Sequence, residues 1–276
     1  YYVRCPSRMN YTNGFMNLLL CPNGESDFYA LYLQARYLAS KVSAETLTEA
    51  EGLLERALEI DPEYGLAWAM LGHLHADNHA LGFCEIEASL EKALTFARRG
   101  VLLAPDNQFA HDALTLVYFH RDDKDFFLQH AEETIALNPN SPYIVGVAGW
   151  HMMLYGEWDR GRRLLNKGMK LNPYHPTWFH LAPFMDYYLR CEYEKALAEA
   201  LKFNYAELYW NPLMRAAALG QLGRLKEAKK AIDQLLKLEA NFRHRAHRMI
   251  GHYVKVDDLV DKIVSGLQKA GLGDLE

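Results

Sequence analysis

Cysteine is scarce in this chain of 276 residues: four occur, at positions 5, 21, 84 and 191. They are scattered, and none stands in a Cys-x-x-Cys pair, which excludes a disulfide-dense scaffold and a ribbon-type zinc site. Cys5 and Cys21 would pair only in an oxidising compartment, so free thiols in a reducing cytoplasm are the expectation. Long apolar runs are lacking as well. The richest near the start, Phe15 to Leu20, falls far short of the roughly eighteen residues that a membrane span needs, and no secretory signal pattern precedes it. There is no block of positive charge: 30 Lys and Arg face 35 Asp and Glu for a net charge of −5. Direct binding to nucleic acid or to an anionic membrane therefore lacks its usual electrostatic footprint.

Catalytic signatures are missing too. No phosphate-cradling glycine loop, HExxH or Gly-x-Ser-x-Gly elbow occurs. Cys84 or Cys191 could be matched on paper with a histidine, yet nothing around either forms a recognisable nucleophile site. Twelve histidines invite a metal reading, above all His73, His75 and His79 with Asp77 between them. That spacing is loose and has no cysteine partner, so the expectation is no metal, no cofactor and no enzyme activity in this chain.

What the sequence does have is apolar content, 50% of its residues, and an internal repeat. Leu103-Ala104-Pro105-Asp106-Asn107, Leu137-Asn138-Pro139-Asn140-Ser141 and Leu171-Asn172-Pro173-Tyr174 place prolines 34 residues apart. Ile60-Asp61-Pro62-Glu63-Tyr64 is an earlier copy, 43 residues before the second. Between copies, apolar residues recur at helical spacing in two blocks. In the best-formed unit Gly149, Gly161 and Pro173 stand 12 apart: two small residues let paired helices approach, and the proline ends the second, since it has no N–H to donate. Ser141-Pro142 reads as the N-cap and first-turn proline of the next helix. Each unit is thus a helical hairpin.

The same skeleton runs through Ala35, Ala50 and Pro62, then Gly72, Ala93 and Pro105, then Thr115, Phe127 and Pro139, and finally Ala216, Ala228 and Ala240. Extra residues around Lys41 to Leu47 and around Asp77 to Glu87 predict widened loops, and Pro183 inside a first helix predicts a kink or bulge. Arg98-Arg99 and Arg162-Arg163 read as surface pairs. Residues 1–27 read as an irregular linker or the remnant of an upstream domain, and residues 28–242 as about five hairpins. Residues 243–276 read as a capping helix and tail, in which Leu259, Ile263 and Leu267 share one face. A start at Tyr1 rather than Met suggests a piece of a longer protein.

These spacings, with Trp68-Ala69-Met70-Leu71-Gly72, Tyr155-Gly156-Glu157-Trp158 and Leu222-Gly223-Arg224-Leu225-Lys226-Glu227-Ala228, resemble the tetratricopeptide repeat over residues 28–242. The resemblance implies an all-α, right-handed superhelical solenoid and a role in binding proteins. The Tyr29–Leu38 block and the Gly266-Leu267-Gln268-Lys269-Ala270-Gly271-Leu272 tail are similar to the C-terminal repeat region of bacterial regulators, where such arrays follow a nucleotide-cyclase or winged-helix domain. That implies a cytoplasmic sensing or partner-binding half, with the cyclase's metal-binding aspartates and the winged helix both absent here.

In this repeat family the first helix of each hairpin lines the inner face. Phasing on Gly72, Thr115, Gly149 and Pro183 places His73, Asp112, Leu116, Phe119, His120, Tyr143, Trp150, Met153, His180, Phe184, Tyr187 and Tyr188 there. Rigid aromatic side chains with a few polar tips suit a peptide or a partner domain. Asp112 and Leu116 stand where the family's cationic and amide clamp for chaperone tails would be, so that ligand is not expected. Some of these positions could instead pack against the neighbouring hairpin or be covered by a terminal segment of the chain. Self-association, as a scaffold or a homodimer, is the alternative use of such an array.

Overall fold

The computed structural model describes residues 28–41, 43–81 and 88–273. Cys5, Cys21, Cys84, the expected linker at 1–27 and the end of the second insertion lie outside them. Fourteen α-helices and no strand occur among the described residues, and they divide into two units at residues 105 and 106.

Unit 1 holds two hairpins, α1 (Phe28–Ala39) with α2 (Ala44–Ile60) and α3 (Gly65–Leu81) with α4 (Ala88–Leu103). The chain turns into α2 at a capping box, in which Ser43 Oγ accepts from the Thr46 amide at 3.3 Å and Thr46 Oγ1 accepts from the Ser43 amide at 3.2 Å. Two of the otherwise orphan donors at a helix start are satisfied this way. The extra residues after Asp77 begin as helix rather than loop, since α3 continues to Leu81. Tyr64, past Pro62, packs edge-on to Phe28 and Tyr32 at 4.9 and 5.3 Å, which joins the two hairpins.

Unit 2 holds four hairpins. They are α5 (Gln108–His120) with α6 (Lys124–Leu137), α7 (Pro142–Leu154) with α8 (Trp158–Leu171), α9 (Leu181–Leu189) with α10 (Tyr193–Lys202), and α11 (Trp210–Gln221) with α12 (Leu225–Leu238). Short helices α13 (Ala246–Gly251) and α14 (Asp257–Leu267) follow. The described residues thus contain six hairpins, one more than the sequence count of about five. Prolines 62, 105, 139 and 173 each fall two residues past the end of a second helix. Pro142 occupies the first turn of α7, but Ser141 makes no side-chain cap bond. Pro183 does not kink a continuous helix: the segment starts as a 3-10 turn at Thr177–His180, and Pro183 then sits in the first turn of α9, where its missing N–H has no helical partner to lose.

Small residues set how closely the paired helices approach. A Cβ on Gly161 would lie 2.6 Å from the Gly149 carbonyl oxygen and 2.8 Å from the Met153 amide nitrogen, so α7 and α8 meet backbone to backbone. Arg162 is not a free surface cation. Its Nε and Nη2 donate to Asp186 Oδ2 and Oδ1 at 3.1 and 3.0 Å, and Arg190 Nη2 adds a third bond at 2.8 Å, so two guanidiniums neutralise one buried carboxylate between neighbouring hairpins.

The glycine contacts predict opposite signs for one substitution type. Gly161→Ala destabilises the protein by about 1–3 kcal/mol through overpacking. Gly52→Ala, in mid-helix α2 with no atom within 4 Å of the added Cβ, stabilises it by roughly 0.5–1 kcal/mol by removing glycine's conformational cost. Urea unfolding of both variants measures the pair.

Candidate interaction face

In unit 2 the first helices α5, α7 and α11 contribute side chains to one face. Helix α7 shows how closed that face is. Every residue from Ile144 to Leu154 is buried, whereas α8 buries only Gly161, Leu165 and Gly168. A helix apolar around its whole circumference needs cover on every side. Its partner helix and the adjacent hairpins supply part of that cover, and the rest comes from the chain's own C-terminal return.

That return crosses the first helices between α13 and α14. Tyr253 stands edge-on to His120 at 5.7 Å, to Trp150 at 6.1 Å and to Trp210 at 6.0 Å. These are the T-shaped geometries that aromatic quadrupoles favour. The Lys255 amide donates to the Leu154 carbonyl at 2.8 Å, taking one of the orphan acceptors at the end of α7. Val256 lies beside Gly156, whose φ of +84° forms the tight turn between α7 and α8. Tyr209 Oη donates to the Met249 carbonyl at 3.2 Å. The Lys255 ammonium reaches within 5.5 Å of the Phe119 ring centroid and 3.9 Å of Asp122 Oδ1, with its side chain 11% exposed. Burial lowers its pKa and the Asp122 carboxylate works against that.

Helix α14 then seals the last hairpin. Leu259, Ile263 and Leu267 are fully buried, and Gly266 passes so close to Tyr188 Oη and the Ala217 carbonyl that no Cβ would fit. Tyr188 Oη lies 3.3 and 3.2 Å from the carbonyls of Ala217 and Lys262, and Lys262 Nζ donates to the Leu189 carbonyl at 3.1 Å. Burial pushes the Tyr188 phenol well above its ordinary pKa, so it stays a donor.

The predicted face residues separate into groups. His73 belongs to unit 1, where its Nδ1 lies 3.1 Å from Asp77; His75 lies 3.1 Å from Glu51, so the two histidines turn to different carboxylates. Phe119, His120 and Trp150 come together in unit 2 around Tyr253 and Lys255. Asp112 and Leu116 are buried on α5. Met153 points to Gly161 of its own hairpin, and Phe184 packs on Tyr188, deep in the core. Tyr187 lies under Arg190 and Lys195 at 5.0 and 5.6 Å. Tyr143, 46% exposed, meets Trp178 and Phe179 at 6.3 and 6.4 Å. His180 Nδ1 bonds Glu199 Oε2 at 2.7 Å; burial alone would raise that carboxyl, but bonds from His180 and Lys202 hold it below its ordinary pKa.

Sequence phasing missed His151, whose ring lies 4.3 Å from Phe119, and Trp210, Tyr253 and Lys255. His151 is one residue past Trp150 on a helix buried all round, so the absence of any charged residue in α7 was its signal. Tyr253 and Lys255 had none, because they lie past the last repeat.

Tyr253→Ala is expected to red-shift tryptophan emission, as Trp150 and Trp210 gain water, and to cost about 1–3 kcal/mol. Tyr174→Ala, at a side chain 93% exposed, should change neither. Emission spectra and urea unfolding of both variants decide it.

No family model matches this chain, and no curated protein matches it. Among solved structures it is similar to the Cut9–Hcn1 hetero-tetramer of the APC/C, with a TM-score of 0.63 at 13% identity over 87% of this chain and 46% of that one. It is also similar to yeast Tom70, with a TM-score of 0.53 at 14% identity over 92% of this chain and 55% of that one. A tetratricopeptide repeat protein from Parabacteroides merdae aligns over 89% of this chain and 93% of its own, with a TM-score of 0.49 at 15% identity. The chain therefore spans about half the length of the first two. At such identities the likeness concerns architecture, and with 79% of the described residues helical and no strand among them, the chain has the all-α fold of tetratricopeptide-repeat solenoids.

Proposed function

We propose that this chain is a protein-interaction or sensing module of a bacterial regulatory protein, working in the cytoplasm, whose inner aromatic face in unit 2 takes a peptide or partner domain. The observation that carries the reading is Tyr253 seated among His120, Trp150 and Trp210. The chain's own return supports this reading by the contacts it makes there: an aromatic ring between ring edges, a backbone amide on the carbonyl of Leu154, and a cation against Phe119 and Asp122. A partner using the same face would offer an aromatic residue followed within two positions by a cationic one.

Such a partner must displace residues 249–256 or find them already displaced, so its apparent affinity is reduced by the fraction of molecules in which the face is covered. The face residues Phe119, His120 and Trp150 carry this reading. His73, Asp112, Tyr143, Met153, His180, Phe184, Tyr187 and Tyr188 enter only as surrounding structure, because they face other partners, lie within the core or belong to unit 1. The regulatory and bacterial setting is supported by the resemblance of the Tyr29–Leu38 block and of the tail. Catalysis is not assigned to this chain.

Panning a random peptide library on the intact protein tests the reading. Selected peptides should carry the aromatic and cationic pair, bind Tyr253→Ala about tenfold or more tighter than the parent, and lose binding to Trp150→Ala. Peptides with no preference between parent and Tyr253→Ala would count against it.

A further inference from the structure

Outside this face, one group of side chains among the described residues carries the donor chemistry of a metal site. His111 lies on α5, and His130 and Glu133 lie one turn apart on α6; one ligand atom from each falls within 4.8 Å of the other two. We propose that His111, His130 and Glu133 bind a single borderline divalent transition ion of the zinc type.

Four observations support the assignment. First, the donor set is two imidazoles and one carboxylate, which suits zinc, nickel or cobalt and is poorly matched to the all-oxygen shells of calcium and magnesium. Second, the distances are close to those a bound ion imposes. Ligands at about 2.0–2.2 Å from a tetrahedral ion stand roughly 3.3–3.6 Å apart, so a pair as wide as 4.8 Å must close by about 1.2–1.5 Å and the His130–Glu133 pair must open by about 0.5 Å, shifts within the reach of side-chain rotation. His130 Nδ1 and Glu133 Oε2 already lie 2.9 Å apart. An ion bound to both takes the place of the hydrogen between them, and His130 then keeps its proton on the other ring nitrogen.

Third, the ligands are held by a second layer of contacts. Gln129 Nε2 donates to Glu133 Oε1 at 3.0 Å, which orients the carboxylate and leaves Oε2 for the ion. The Tyr118 ring stacks on His130 at 5.1 Å with an interplanar angle of 1°, fixing the imidazole plane. Thr115 and Thr134 Oγ1 lie 2.8 and 2.7 Å from the His111 and His130 carbonyls and 3.1 Å from each other; one hydroxyl donates to the other, which donates to its own carbonyl, so the segments bearing the histidines are tied together one turn away. Such outer contacts are what set ligand orientation in metal sites. Fourth, access is graded: the His130 side chain is 16% exposed and that of Glu133 is 44% exposed, so the carboxylate forms the entrance and a fourth position is left to water.

The ion would clip α5 to α6. Sequence reading did not find this group because His111 and His130 are 19 residues apart and meet only through the hairpin, whereas attention went to histidines close together in sequence.

Titration of the chelator-treated full chain with Zn²⁺, and separately with Co²⁺, tests the proposal. One ion per chain is expected at this site, together with a higher melting temperature and, for Co²⁺, a visible absorption band. His111→Gln and His130→Gln should each weaken binding by about tenfold or more and abolish the melting shift. Glu133→Gln, at the exposed edge where folding is least at risk, should weaken binding while leaving the metal-free melting temperature unchanged. His73→Gln should titrate as the parent does. Equal affinity and stoichiometry in the parent and the three site variants would overturn the proposal, as would an absence of binding to the parent.

Discussion

Backbone contact at small side chains is the constraint on which unit 2 depends. Gly161 faces the Gly149 carbonyl and the Met153 amide with no room for a Cβ, and Gly266 lies against Tyr188 and the Ala217 carbonyl in the same manner. At that separation the helices exclude water from their seam and Phe127, Leu165 and Ile263 are drawn into full or near-full burial. A hairpin so formed still has an open face, because a two-helix unit cannot enclose itself, and stacking the next hairpin covers only one side of it. The inner face is left over, and in this chain residues 245–267 cover it.

The return segment answers a packing requirement with a specific intramolecular contact. Its anchor is mixed: ring edges around Tyr253, one hydrogen bond from the Lys255 amide, and a partly desolvated ammonium near Asp122. Each contact is modest, of order 1 kcal/mol. Hairpin packing is continuous along unit 2, whereas the cover between α13 and α14 is short and local.

Much of this was legible in the sequence, and the illegible part has a common cause. The prolines past each second helix, the Gly149 and Gly161 pair, and the one-sided Leu259, Ile263 and Leu267 stripe are local or periodic signals, and each marks its helix. Phe119, His120 and Trp150 were placed on one face because they share repeat phase. Met153 and Tyr188 share that phase too, but a few tens of degrees of rotation turn them into the hairpin seam and toward α14. Tyr253 and Lys255, in a stretch without periodicity, meet residues from Trp210, 43 positions away, to Phe119, 136 positions away, and Arg162 meets Asp186 across hairpins. Contacts of this kind are set by the tertiary arrangement alone.

The account rests on the C-terminal return lying on the inner face of unit 2, and proton–proton NOEs in solution test that most directly. Cross-peaks from the Tyr253 ring to the indoles of Trp150 and Trp210, with a slowly exchanging Lys255 amide, are the predicted result. Random-coil shifts for residues 249–256 with no contact from Tyr253 to either indole would contradict it.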